Sequence, residues 1–409
     1  MDPEIIEYLK YASIPFVAGA VGWFTNWVAI KLTFWPLDFI GYKPLYLGWQ
    51  GIVPMKARKM AGISVDNILS KLGSLSEVVD NMGPDKIAAH IVKVVEPQLD
   101  TYTEEAMIKE RRVLWENLPV TVKNQISNRV KKELPRMVNN LVHEIGDNIE
   151  ELLDLKEMIQ DQLEEEKHLV NRIFQECGDK EFKFIINSGF GFGFLFGLIQ
   201  AVVWWAYPEW WILPLFGVIV GTATNWIALN IIFRPLKPTK VGPFTFHGIF
   251  LKRQKEVSDV YTKIVTEEVL TVRHLVNRLM TGPKSDRVHA LVRKNIKTIV
   301  DESAGFAKFF VQGAVGPESF ANIKEWVGDK AIDVSEEPFD DQDFNADRGV
   351  LVQEIMAERM QELSSEEFQN MLRPAFQEDE LKLIIAGGIL GALAGTAQLI
   401  LVFGQNIFT

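Results

Sequence analysis

The sequence predicts an all-α fold: a four-transmembrane-helix membrane protein built from two tandem repeats, each with a helical cytoplasmic block between two membrane helices. Three observations predict it. Residues 11–30, 184–208, 210–233 and 383–409 contain no Asp, Glu, Lys or Arg, and a helix needs only about 20 apolar residues to cross ~30 Å of hydrocarbon. Two long polar stretches, 57–183 and 252–382, separate these runs. Motifs of the first half return 199 residues later. Chain averages hide the segregation: 409 residues with 47% hydrophobic and 24% charged content have a mean hydropathy of +0.05, as a soluble protein would. The 43 basic against 54 acidic residues, a net charge of −11, argue against nucleic acid as a partner. A single cysteine, Cys177, excludes an intrachain disulfide framework.

The repeat is read from one register. Gly22-x-x-Thr25-Asn26-Trp27-x-Ala29 returns as Gly221-x-x-Thr224-Asn225-Trp226-x-Ala228, Pro36-Leu37 as Pro235-Leu236, Gly83-Pro84 as Gly282-Pro283, and His90 as His289. Gly193-x-x-x-Gly197-x-x-Gln200 returns as Gly391-x-x-x-Gly395-x-x-Gln398 at an offset of 198, one deletion away. A register held from the first membrane helix to the last marks a tandem duplication. Repeat 1 is expected at 1–206, with membrane helices 11–35 and 184–206 around the soluble block 57–183. Repeat 2 is expected at 207–409, with membrane helices 210–233 and 383–403 around the block 252–382. Two crossings per repeat give both copies one orientation, so the pseudo-symmetry axis follows the membrane normal.

Orientation follows from the basic residues near the helix ends. Lys31, Lys43, Lys56, Arg58 and Lys59 follow the first helix, and Arg234, Lys237, Lys240, Lys252, Arg253 and Lys255 follow the third. Asp2, Glu4, Glu7, Lys10 and Glu209 stand on the opposite side. The blocks are therefore expected in the cytoplasm and both termini outside. An acidic start and a short apolar run before Ala18-Gly19-Ala20 argue against a cleaved signal peptide.

Inside the membrane helices small residues form stripes: Ala18, Gly22, Asn26 and Ala29; Gly217, Gly221, Asn225 and Ala228; Gly189, Gly193, Gly197 and Ala201. Such Gly-x-x-x-Gly stripes let backbones approach closely where lipid offers no hydrophobic drive. Thr25, Asn26, Gln200, Thr224, Asn225 and Gln398 then have two readings: hydrogen bonds across a tight bundle, or an intramembrane polar site. The clusters Lys56, Arg58, Lys59 and Lys252, Arg253, Lys255 also have two readings, as lipid-headgroup contacts or as residues that only set topology. Each cluster follows an aromatic, proline-containing stretch expected to lie in the interface. Nine of the eleven tryptophans lie in or beside the membrane segments, which suits rings at headgroup depth.

The blocks read as helical. Apolar residues step by four, with an occasional three, from Leu118 through Ile126, Leu134, Leu141 and Ile145 to Leu152, and Pro135 is expected to kink or break that rod. Ser364 and Glu367 are spaced as a capping box. Residues 333–348 are acidic and poor in apolar side chains, which predicts a mobile loop. Motifs of chemistry are thin. Gly189-Phe190-Gly191-Phe192-Gly193 lacks the spacing and the strand of a phosphate-binding loop. Asp341-x-Asp343-x-Asn345 begins like a calcium loop but has Ala346 at the turn and Val352 in place of the closing glutamate. The six histidines show no metal-ligand spacing, and Cys177 has no catalytic setting. No enzyme activity, cofactor or metal is therefore expected.

The chain resembles, along nearly its whole length, the bacterial membrane proteins called the domain of unknown function 445 family, including the YheB and YjiN types. The resemblance rests on Gly22-x-x-Thr25-Asn26-Trp27-x-Ala29, on Phe34-Trp35-Pro36 followed by Gly51-Ile52-Val53-Pro54, and on the run from Leu363-Ser364-Ser365-Glu366-Glu367-Phe368 to Gly391–Gln398. It implies a bacterial cytoplasmic membrane and supplies no activity. The leading expectation is a structural or interaction scaffold, with membrane lipids and a homo-oligomer or protein partner bound through the helical blocks. The alternative is a conduit for lipid or another amphiphile, in which the amphipathic helices shield an apolar groove.

Overall fold

The computed structural model describes residues 3–42, 47–72, 74–242, 244–304, 316–372 and 380–404. The chain is mostly helical and forms two compact units, one of residues 1–67, 160–261 and 357–409, the other of residues 68–159 and 262–356.

The first unit contains the helices Pro3–Phe34, Asp179–Ala206, Ile212–Phe233 and Glu380–Phe403. All four are long and apolar enough to cross a membrane, over Tyr8–Phe34, Asp179–Ala206, Ile212–Ile232 and Ile384–Phe403. The first packs along the second, the third along the fourth, and the second against the third. Glycine sets the spacing of both close pairs. A Cβ on Gly22 would stand 2.3 Å from the carbonyl oxygen of Gly189, and one on Gly217 would stand 2.0 Å from that of Gly391. Only hydrogen at those positions allows the backbones to meet, as small residues do between helices in lipid. Ile14, Trp204, Ile212, Leu213 and Leu399 form a buried apolar cluster within the bundle. Leu195, Ile199, Val202, Ile389, Leu393 and Leu401 face outward, an apolar exterior suited to hydrocarbon.

The stretches after the first and third spans correct the purely helical expectation. Strands Ile40–Tyr42 and Leu47–Trp49 pair antiparallel with Ile40 opposite Trp49, and Thr239–Val241 and Phe244–Phe246 pair with Thr239 opposite Phe246. Each hairpin follows a cis proline, Pro36 or Pro235. The chain folds back so that the Gly51 N–H donates to the Pro36 carbonyl at 2.9 Å and the Gly248 N–H to the Pro235 carbonyl at 3.1 Å. The Trp49 ring N–H also donates to the Leu32 carbonyl at 3.0 Å, tying the first hairpin to its span.

The second unit draws Leu75–Asn81, Pro84–Val95, Leu99–Asn117, Val120–Asp147 and Ile149–Leu152 from the first polar block, and Val272–Thr281, Ser285–Ala304 and Pro317–Asp333 from the second. Helix Val120–Asp147 runs through Pro135 unbroken. The one lost internal bond is outweighed by burial of Leu134 and Val138 on either side. The expected mobile loop at 333–348 is also overturned: Glu337–Asp340 forms a 3₁₀ turn with Pro338 and Phe339 buried, and Gln342–Gln361 is helical. Asp341 caps that helix by accepting from the Phe344 N–H at 3.1 Å. In the first unit the Ser364 capping box forms as read, with the Ser364 N–H donating to Glu367 Oε2 at 2.8 Å and the Glu367 N–H to Ser364 Oγ at 3.3 Å.

Candidate functional site

All six polar residues singled out in the spans are buried, but their bonds differ from a simple cross-linked set. Asn26 Nδ2 donates to the Ile185 carbonyl on the second span at 2.7 Å, a true bond between helices. Thr25 Oγ1 donates to the Gly22 carbonyl and Thr224 Oγ1 to the Val220 carbonyl, so both hydroxyls turn back on their own helix. That corrects the cross-helix reading for the threonines: a hydroxyl one turn from an in-helix carbonyl has a partner closer than any neighbouring helix. Asn225 lies against Gly387, Gln200 is buried in the second span, and Gln398 Nε2 has no hydrogen-bond partner among the described residues.

The basic clusters divide in the same way. Arg58 Nη1 holds Asp161 at 2.6 Å and Glu164 at 2.9 Å. Arg253 holds the buried Glu181 through Nη1 and Glu256 through Nε at 3.0 Å. Both guanidiniums therefore pair with carboxylates of their own chain. Arg253 first, then Lys180, holds the Glu256 carboxyl down to about 2. Lys56 and Lys59 have partners of their own. Lys252 and Lys255 are exposed and make no ion pair among the described residues.

The singled-out histidines and cysteine are structural in their contacts. His90 stacks on Phe344 at 3.8 Å between centroids and bonds the Pro338 carbonyl at 2.7 Å, whereas His289 bonds the Met280 carbonyl at 2.9 Å. Cys177 is fully buried, and burial pushes its thiol up to about 12.

The second unit holds a feature that no motif announced: a cavity of about 530 Å³. One wall is the stepped stripe of helix Val120–Asp147, including Val122, Ile126, Val130, Leu134, Val138 and Leu141. Another comes from the second block, with Val276, Leu279, Val292, Ile296 and Ile299, and Phe320 and Ile323 add a third. Amphipathic helices normally close such stripes against one another; here they leave a space between them. The volume falls within the ~300–1,000 Å³ of small-molecule sites. The few polar groups on its lining are Tyr102, Thr103, Gln125, Arg129, Lys330 and Ser335. Two apolar stripes in separate blocks were the available signal, but periodicity tells which face of a helix is apolar and not whether another helix covers it.

No family model matches the chain, and no solved structure matches it. Similar stretches occur in UPF0754 membrane proteins. The one from Staphylococcus haemolyticus is 27% identical over 97 residues, 23% of this chain and 25% of that protein. One from Staphylococcus epidermidis is 27% identical over 99 residues, 23% of this chain and 26% of that protein. One from a Cyanothece strain is 29% identical over 93 residues, 22% of this chain and 23% of that protein. The similarity thus spans about a quarter of the length of these relatives, whose names carry a membrane location and no activity. Together with the four apolar helices, it supports a membrane location for this chain.

Proposed function

We propose that the protein is a lipid or amphiphile carrier or conduit, whose second unit takes the apolar tail of its cargo into the cavity between its helices. The observation that carries this reading is the cavity itself, about 530 Å³ and lined almost wholly by aliphatic and aromatic side chains. Burying ten methylenes there, at ~0.8 kcal/mol each, is worth about 8 kcal/mol, a micromolar affinity before the costs of ordering. The scaffold reading of the sequence has no comparable observation behind it.

The proposal includes the cytoplasmic membrane as location, with termini outside and both blocks inside, supported by the basic residues after the first and third spans. It also includes a tandem duplication, supported by the 199-residue register, and membership of the domain of unknown function 445 family, supported by the motifs quoted above. Labelling of a Glu150→Cys variant from outside intact cells would overturn the topology.

The cargo reading is tested in native membranes with a photoactivatable acyl probe bearing a diazirine near the chain terminus, its adducts mapped by peptide mass spectrometry. Adducts on helices Val120–Asp147 and Ser285–Ala304 are expected. Adducts confined to the four spans would contradict the proposal.

A further inference from the structure

The lining of the cavity carries a sign as well as an apolar surface. Its charged residues are Arg129 and Lys330, and no Asp or Glu lies among them, although the chain as a whole carries a net charge of −11. The two cations differ in availability. Lys330 Nζ sits 3.6 Å from Glu105 and 5.0 Å over the Tyr102 ring, so part of its field is already answered. Arg129 is exposed and makes no ion pair among the described residues. Gln125, also exposed and on the lining, stands one helical turn before it on the same face, so an amide N–H and a guanidinium fork share one rim above the apolar stripe.

Resting on the amphiphile reading above, we infer that the cargo is an anionic amphiphile, with a tail in the cavity and its carboxylate or phosphate head on Arg129. Charge complementarity selects this occupant over a neutral or cationic one. A guanidinium donates two parallel N–H groups to either anion, and an alcohol or a quaternary ammonium head offers nothing equivalent.

The test uses the full chain in phosphatidylcholine nanodiscs, labelled by the acyl diazirine probe in competition with palmitate, hexadecyl phosphate or hexadecanol. Either anion should displace the probe from the cavity wall at about a two- to fivefold lower concentration than hexadecanol, the range that a solvent-exposed ion pair produces. Arg129→Glu should abolish that preference, whereas Arg129→Lys should keep part of it. The side chain is exposed, so neither change removes a packing contact on which the fold depends. Equal displacement by all three competitors, or an unchanged preference in Arg129→Glu, would overturn the anionic assignment and leave the amphiphile reading standing. Absence of wall labelling in the unsubstituted protein would overturn both.

Discussion

Filling the cavity distinguishes a binding space from an ordinary apolar core. Val130 and Val142 lie on the cavity face of helix Val120–Asp147, both only partly buried, and Val130→Phe with Val142→Phe would place two rings in the space. At ~24 cal/mol per Å³ of unfilled apolar volume, 530 Å³ corresponds to about 13 kcal/mol. That is an upper bound, because Gln125 and Arg129 mark an edge reached by solvent. Each tenth of the volume filled is then worth about 1.3 kcal/mol. Two rings occupying about a fifth should stabilise the unit by at most about 2–3 kcal/mol, a rise of up to roughly 5–10 °C in melting temperature for a domain of 150–250 residues. In a close-packed core the same insertions would cost about 1–3 kcal/mol each, so the sign of the shift is diagnostic. Thermal unfolding of protein stripped of bound amphiphile, so that cargo does not stabilise the unsubstituted chain, supplies the stability, and acyl-probe labelling of the same proteins in nanodiscs supplies the binding. The expected outcome is a higher melting temperature with lost wall labelling. A lower melting temperature with undiminished labelling would refute the reasoning.

Other consequences follow from the first unit and from the surface carboxylates. Gly217→Leu would drive a side chain into the Gly391 carbonyl, 2.0 Å from the first added carbon. Engineered cysteine cross-links between the third and fourth spans should then fail to form, and their retention would contradict the packing. Arg253→Ala strands the buried Glu181 carboxylate and should cost about 3–5 kcal/mol. The paired change Arg253→Met with Glu181→Leu should cost much less, and equal losses would remove the ion pair from the account. Lys131 with Ser127 holds Asp100 below the usual carboxylate range, Lys294 with Asn295 does the same to Glu144, and Arg253 with Lys180 holds Glu256 at about 2. Because each folded-state value lies below its unfolded one, these groups stabilise fully above about pH 4.5 and lose that effect as pH falls towards 2. The melting temperature should be level from neutrality to about pH 5 and fall below it; a rise on acidification would contradict the pairing. Cys177, buried with its thiol pushed up to about 12, should react with maleimide at neutral pH only after denaturation, and rapid labelling of the native protein would contradict its placement.

What the sequence made legible depended on the range of the interaction involved. The spans were legible because hydrocarbon imposes a length and an absence of charge, and the Gly22 and Gly217 contacts because close backbone approach demands small residues at spacing four. The Ser364 and Glu367 cap was legible because its partners are three residues apart. The hairpins were not, since strands of three residues carry too little alternation to register. The acidic stretch misled because its composition is dominated by surface residues while two side chains, Pro338 and Phe339, anchor it in the interior. Arg253 read as a membrane-surface cation because Glu181, its partner, lies 72 residues away. The cavity is the furthest from local legibility: its walls come from helices more than a hundred residues apart, and each stripe alone looks like a core.

The central claim, that the second unit holds an amphiphile, is most directly tested by native mass spectrometry of the full chain released from detergent micelles, at activation energies that strip lipid from the outer surface. The unsubstituted protein should retain one or a few bound amphiphiles of defined mass, and the Val130→Phe, Val142→Phe protein should lose them. Bare protein in both cases, or the same retained lipid in both, would contradict it.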